Sequence, residues 1–298
     1  MGSKLSTADC LFSIYDKETG RYLIVLKMLE NVEMVSTIIK AYMAGDDLEQ
    51  LGGAGFDMEK CIMFQADQAA ALHARYWNDR EFISKVNGYV MHAEWVHGEA
   101  EDRFNSARGS YQMVVESLKA DPENLFSKNY PQALEIIEAG LAKTSWEDYK
   151  AHYMASDLEL TLLHGDYHAN QMMWDKSAQK GYLLDYEYMA IGPAVMDLAY
   201  FMVFAGKKVR NNFEEKFLAR YHESLIASGK VDPVKNTLEK LKADYRKYFV
   251  SRAGYIAMAI VAFLPADDGA RVSESFASFI EDYGVTKEEV LMPHFMNI

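Results

Sequence analysis

The chain is short of cysteine, of positive charge and of long apolar runs, and each shortage removes a class of protein. Its two cysteines, Cys10 and Cys61, have no motif spacing, which excludes a disulfide scaffold and fits a reducing compartment. Acids outnumber bases 44 to 31, leaving a net charge of −13 and a pI near 5.1. No basic stripe is visible, so nucleic acid is not an expected partner. No apolar run reaches the roughly 18 residues of a bilayer span and no signal peptide opens the chain, so no transmembrane segment and a cytoplasmic location are expected. Internal repeats and low-complexity linkers are also missing. Met1-Gly2-Ser3-Lys4-Leu5-Ser6 does fit the acceptor pattern for N-myristoylation. With no polybasic patch beside it, a single acyl chain would give only weak membrane association.

What remains is an ordinary soluble composition. The 298 residues are 50% apolar and 25% charged, ample for a sizeable core. Apolar positions recur at helical spacing over residues 57–77, with Asp57 as cap and His73 as a hydrogen-bonded core histidine on the apolar face. Further helices are expected at 109–118, 130–141, 146–154, 194–204 and 213–228. A longer one at 234–263, broken near Gly254, and two short ones at 271–283 and 287–292 complete the helical set. Residues 78–110 read as irregular, and their Tyr89, His92, Trp95 and His97 either line a binding site or pack a surface loop. At the front, 10–15 and 22–26 read as strands of one hairpin about a turn at 16–20.

The chemistry sits in two stretches. Leu162-Leu163-His164-Gly165-Asp166-Tyr167-His168-Ala169-Asn170-Gln171-Met172-Met173-Trp174 is answered by Tyr182-Leu183-Leu184-Asp185-Tyr186-Glu187. In each, an apolar run feeds a polar cluster, which is how a buried segment delivers acids to a cleft floor. Asp166 and Asp185 lie 19 residues apart, with a turn at 176–181 between them. Two carboxylates placed together in a semi-enclosed site call for a cation, and Asn170, Gln171 and Asp185 offer oxygens suited to magnesium. His164, Asp166 and His168 alternate, so an extended segment would put all three on one face, and a zinc-dependent hydrolase is a competing reading.

His164-Gly165-Asp166 with Asn170/Gln171, then Asp185-Tyr186-Glu187, then Ile191-Gly192-Pro193-Ala194-Val195-Met196-Asp197-Leu198-Ala199 resembles the aminoglycoside phosphotransferase and choline kinase superfamily. The chain looks most like its ecdysteroid-kinase-like (CHK kinase-like) branch. Leu26-Lys27-Met28-Leu29-Glu30-Asn31 resembles the family hinge, and Ala71-Leu72-His73-Ala74-Arg75-Tyr76-Trp77 its helix ending in Leu-His-Ala. The resemblance implies an α+β, protein-kinase-like fold with a truncated β N-lobe of one hairpin and a large, mainly α-helical C-lobe. Residues 1–31 would be the N-lobe remnant and hinge, and 32–298 the helical lobe with the catalytic and metal loops.

The same resemblance implies roles. Asp166 would be the catalytic acid that positions the acceptor hydroxyl and takes its proton. Asp185 would hold magnesium, with Asn170 and Gln171 as further ligands. Leu29 and Glu30 would present hinge backbone to the adenine of ATP, and Met173 and Leu184 would floor the ring. Asp197 would hold the catalytic loop by hydrogen bonds.

Two departures qualify this. Gln171 stands where kinases carry an asparagine, five residues after the catalytic acid, so a weaker or displaced second metal is expected. The family's first strands, phosphate loop and lysine have no counterpart before the hinge. Leu51-Gly52-Gly53-Ala54-Gly55-Phe56 is glycine-rich but follows the hinge with no strand leading into it, and is not expected to bind phosphate. The expected function is phosphoryl transfer from ATP to a hydroxyl of a small-molecule acceptor, impaired in the chain as written. The alternative is a non-catalytic binding or regulatory protein. A lone hairpin is marginal in water, so it should pack on the helical lobe or pair with another chain, and self-association through its edge is expected.

Overall fold

Residues 10–26 alternate aliphatic, aromatic and β-branched side chains around a polar turn, and they form an antiparallel hairpin of β1 (Cys10–Tyr15) and β2 (Tyr22–Leu26). The Asp16 carboxylate closes the turn by accepting the backbone N–H of Glu18 (2.9 Å) and the hydroxyl of Thr19 (2.6 Å). In the computed structural model, which describes residues 4–254 and 266–288, every residue of both strands is exposed. The hairpin therefore does not pack on the helical body.

Behind it, β3 (Val32–Met34) leads into α1 (Val35–Ala44) and the single turn α2 (Glu49–Gly52). Helix α3 (Met58–Arg75) starts where Asp57 accepts the N–H of Glu59, and it buries Cys61, Ile62, Ala66, Ala69 and Leu72. There follow α4 (Arg80–Lys85), α5 (Ala93–Val96), α6 (Glu101–Ala120), α7 (Leu125–Asn129), α8 (Pro131–Ala142) and α9 (Trp146–Met154). Residues 78–110 are thus less irregular than expected. Phe104 and Ala107 extend the buried stripe of Tyr111, Val115 and Leu118 toward the N-terminus, where Glu101 and Asp102 suit the helix dipole. Trp95 and His92 are core residues, their rings stacked 4.1 Å apart, while Tyr89 is exposed.

Four short strands carry the two motif halves: β4 (Thr161–Leu163), β5 (Met172–Asp175), β6 (Lys180–Leu183) and β7 (Ala190–Gly192). β5 lies between β3 and β6, and β4 pairs with β7, all antiparallel. Period-two alternation buries Met172 and Trp174 and leaves Met173 and Asp175 partly exposed on the other face. The Trp174 indole donates to the Gly52 carbonyl at 3.1 Å. At Gly53 (φ 92°) a Cβ would stand 2.5 Å from the Lys176 carbonyl oxygen. The glycines here let α2 approach the β5–β6 turn closely.

Helix α10 (Val195–Ala205) is buried nearly all round, as its apolar run requires. It is packed by α11 (Lys207–Ala227), α12 (Leu238–Tyr248), a π-helical segment Phe249–Gly254 and α13 (Ala266–Tyr283). The polar start of α11 hid its true beginning, because Arg210 is a buried residue paired with Ser278 and Asp282 rather than a loop residue. Thr237 caps α12, so the helix begins at Leu238, four residues after the expected start at 234. The expected helix beyond Gly254 and most of 287–292 lie outside the described residues. Among the described residues no helix is long and apolar enough to cross a membrane. The architecture is the expected α+β one, a few short strands on a mainly helical body.

Candidate functional site

Strand β4 ends at Leu163 and delivers His164-Gly165-Asp166 at the mouth of the helical body. The turn is clamped by Asp197, in the first turn of α10 and fully buried. Asp197 Oδ2 accepts the His164 N–H (2.7 Å) and faces His73 Nε2 (3.1 Å), while Oδ1 accepts the Gly165 N–H (3.1 Å). With Nε2–H directed at a carboxylate, His73 Nδ1 is the acceptor for the Tyr221 hydroxyl at 3.0 Å. Gly165 has φ 85°, and a Cβ there would collide with the Tyr188 carbonyl oxygen. Glycine is required on both counts.

Three donors converge on Asp166. Gln171 Nε2 donates to Oδ2 at 2.6 Å, the Tyr200 hydroxyl donates to Oδ1 at 3.0 Å, and His168 Nε2 lies 3.2 Å from the same oxygen. The Asn170 N–H donates to His168 Nδ1 at 3.1 Å, so the ring carries its proton on Nε2, aimed at the carboxylate. Burial acts to raise the Asp166 pKa. Hydrogen bonds from His168, Gln171 and Tyr200, with the electrostatic pull of the His168 ring, outweigh it and bring the carboxyl down to about 2.

The second motif half is tied to the first through backbone. The Leu184 N–H donates to the Gln171 carbonyl at 2.9 Å, and His164 Nε2 donates to the Leu184 carbonyl at 2.7 Å. Gln171 thus touches both halves, holding Asp166 with its side chain and Leu184 with its main chain. The next residue, Asp185, is exposed and left-handed, with φ 57°. Asn170 is exposed beside the loop.

Leu29 and Glu30 line a cavity of about 640 Å³ together with Lys4, Lys27, Lys180 and Tyr182. Met173 and Leu184 are not among its walls. Met173 sits in register with Met34 and Tyr182 on the sheet beside it. Residues 4–7 strap across this region, where the Ser6 N–H donates to Gln68 Oε1 (2.5 Å) and the Ser6 carbonyl accepts the Leu183 N–H (2.9 Å).

The sequence reading missed Tyr200 and the contact of His168 with Asp166. A signal for Tyr200 was present, since it lies three residues after Asp197 and so on the same face of α10. The zinc reading finds no support. The His164 Nε2 is taken by Leu184, both His168 nitrogens are engaged, and the described residues hold no cluster of three or more His, Cys, Asp or Glu able to bind a metal.

No curated protein sequence matches the chain. Among solved structures, a protein of Ralstonia eutropha described as an aminoglycoside phosphotransferase aligns at 14% identity over 94% of this chain and 79% of that one, with a TM-score of 0.46. Choline kinase of Streptococcus pneumoniae aligns at 14% over 91% and 75% (TM-score 0.44), and choline kinase of Cryptosporidium parvum at 14% over 93% and 74% (TM-score 0.45). Likenesses this distant fix neither activity nor substrate. Residues 116–234, which contain His164, Asp166, Gln171, Asp185 and Asp197, match the model of the phosphotransferase enzyme family, APH. The match covers the stretch that builds the site and less than half of the chain.

Proposed function

We propose that this chain is a small-molecule phosphotransferase that moves the γ-phosphoryl group of ATP to a hydroxyl of a small acceptor. The observation that carries this is the Asp166 carboxylate, anionic and fixed by Gln171, His168 and Tyr200 on a loop locked by Asp197. Two donors occupy Oδ1, and Oδ2 has one. The vacant lone pair of Oδ2 is where an acceptor O–H would dock. A carboxyl with a pKa of about 2 is a weak base, so Asp166 contributes mainly by orienting the hydroxyl. The proton would transfer late, as the bond to phosphorus forms.

The residues beside it fit a hard divalent cation. Gln171 commits its amide nitrogen to Asp166, which leaves its amide oxygen for a metal. Asp185 adds an exposed carboxylate and Asn170 an exposed amide, all oxygen donors of the kind magnesium takes. The left-handed backbone at Asp185 is an uncommon conformation of the sort found at functional sites. Bound there, magnesium would neutralise charge on the ATP phosphates. The hinge cavity, with Leu29 and Glu30 in its wall, is large enough for a nucleotide base, and its Lys4, Lys27 and Lys180 are cations that could meet phosphates. Among the described residues no glycine-rich hairpin covers such phosphates, and slow turnover by these residues alone is part of the proposal.

The test is calorimetric titration of ATP with and without magnesium, on this chain and on Asp185→Ala. Magnesium-dependent binding that is lost in the variant supports the assignment and justifies a screen of alcohol acceptors. Binding that ignores both magnesium and Asp185 would overturn the metal assignment. No binding at all would favour a non-catalytic role.

A further inference from the structure

The hairpin presents apolar side chains on both faces, and among the described residues no further strand pairs with either of its edges. Leu11, Phe12, Ile14, Tyr22, Leu23 and Ile24 are each at least half exposed. A monomer rarely leaves such a surface uncovered, and an unpaired flat edge is a template for another strand. The question is what covers it.

We propose that the occupant is a second copy of this chain, joined through an antiparallel β1–β1 pairing about Ser13 that makes one four-stranded sheet. Three observations select that arrangement. The Asp16 N–H bonds the Arg21 carbonyl at 2.8 Å, so by antiparallel alternation Ile14 and Phe12 spend their backbone groups on β2. Ser13 and Tyr15 therefore turn theirs to the open edge, and a twofold axis at Ser13 sets one copy's outward groups against the other's. Secondly, that register brings Asp9 of each copy to the end that carries Lys17 of the other, and it sets Phe12 against Ile14 at the centre. The competing β2–β2 pairing about Ile24 would bring Arg21 against Lys27, like against like. Thirdly, residues 9–27 hold three acids (Asp9, Asp16, Glu18) and three bases (Lys17, Arg21, Lys27) in a chain of net charge −13. The hairpin is the locally neutral place at which two such acidic molecules can meet without close repulsion.

The test is sedimentation velocity of the full chain over a hundredfold concentration range, with charge swaps on the surface of the hairpin. The wild type should move toward twice the 33.9 kDa chain mass as concentration rises. Asp9→Lys alone and Lys17→Glu alone should each weaken dimerisation about tenfold, and the double swap should restore it. Ser13→Cys in a Cys10→Ser background should cross-link into a dimer on mild oxidation, and Val25→Cys in that background should not. A monomer at every concentration would overturn the proposal. So would a dimer indifferent to the charge swaps, or one that cross-links equally well through Val25→Cys.

Discussion

Asp197→Asn is the substitution whose cost the geometry determines most closely. The carboxylate is fully buried and accepts two backbone N–H groups of the His164–Gly165 turn as well as facing His73. Asparagine has the same shape but one acceptor oxygen instead of two. With its oxygen toward His164, the amide nitrogen faces the Gly165 N–H; turned about, it faces the His164 N–H. Either way one buried backbone donor of the turn is stranded, at about 1–3 kcal/mol, and the surviving bonds lose their charge assistance. A loss of about 3 kcal/mol is expected, read as a shift in urea midpoint at unchanged m-value or a fall in Tm of about 6 °C or more. Asp197→Ala strands both N–H groups and should cost more. A loss under about 1 kcal/mol for Asp197→Asn, or alanine tolerated better than asparagine, would refute the claim that this carboxylate holds the turn.

Two further outcomes follow from the same site. Tyr200→Phe removes one donor from Asp166 and should raise its pKa from about 2 toward the ordinary 3.8. Because a depressed carboxyl pKa stabilises the fold above the unfolded value and that stability is lost as pH falls through the folded value, the gap between wild type and variant, about 1 kcal/mol near pH 6, should close between about pH 4 and pH 2. A gap that stays constant in urea titrations across that window would contradict it. Gly165→Ala should destabilise by about 2 kcal/mol more than Gly229→Ala, since both have positive φ but only Gly165 would drive a Cβ into backbone, at Tyr188. Equal unfolding midpoints for the two variants would show that the collision relaxes.

Much of the helical body could be read from spacing alone. The stripes of α3, α8 and α9 and the apolar run of α10 declare themselves because one repeating period decides both conformation and burial. The hairpin was equally plain, from its alternation and its Asp16–Gly20 turn. Reading failed where a polar residue is buried with a distant partner. Arg210 made the start of α11 look like loop because Ser278 and Asp282, its partners, are far along the chain.

The candidate site divides in the same way. The holding role of Asp197 was legible from motif order, because its carboxylate is tied to the first turn of α10 and to the His164–Gly165 backbone. Tertiary structure alone decided that Tyr200 and His168 share Asp166 Oδ1, that Gln171 bridges the two halves, and that Leu29 and Glu30 line a cavity whose walls exclude Met173 and Leu184. It also decided that the hairpin stands uncovered. Sequence period dictates which face of an element is apolar, since that depends on residues three, four or two apart. Which surface meets that face depends on chain paths that no local pattern encodes.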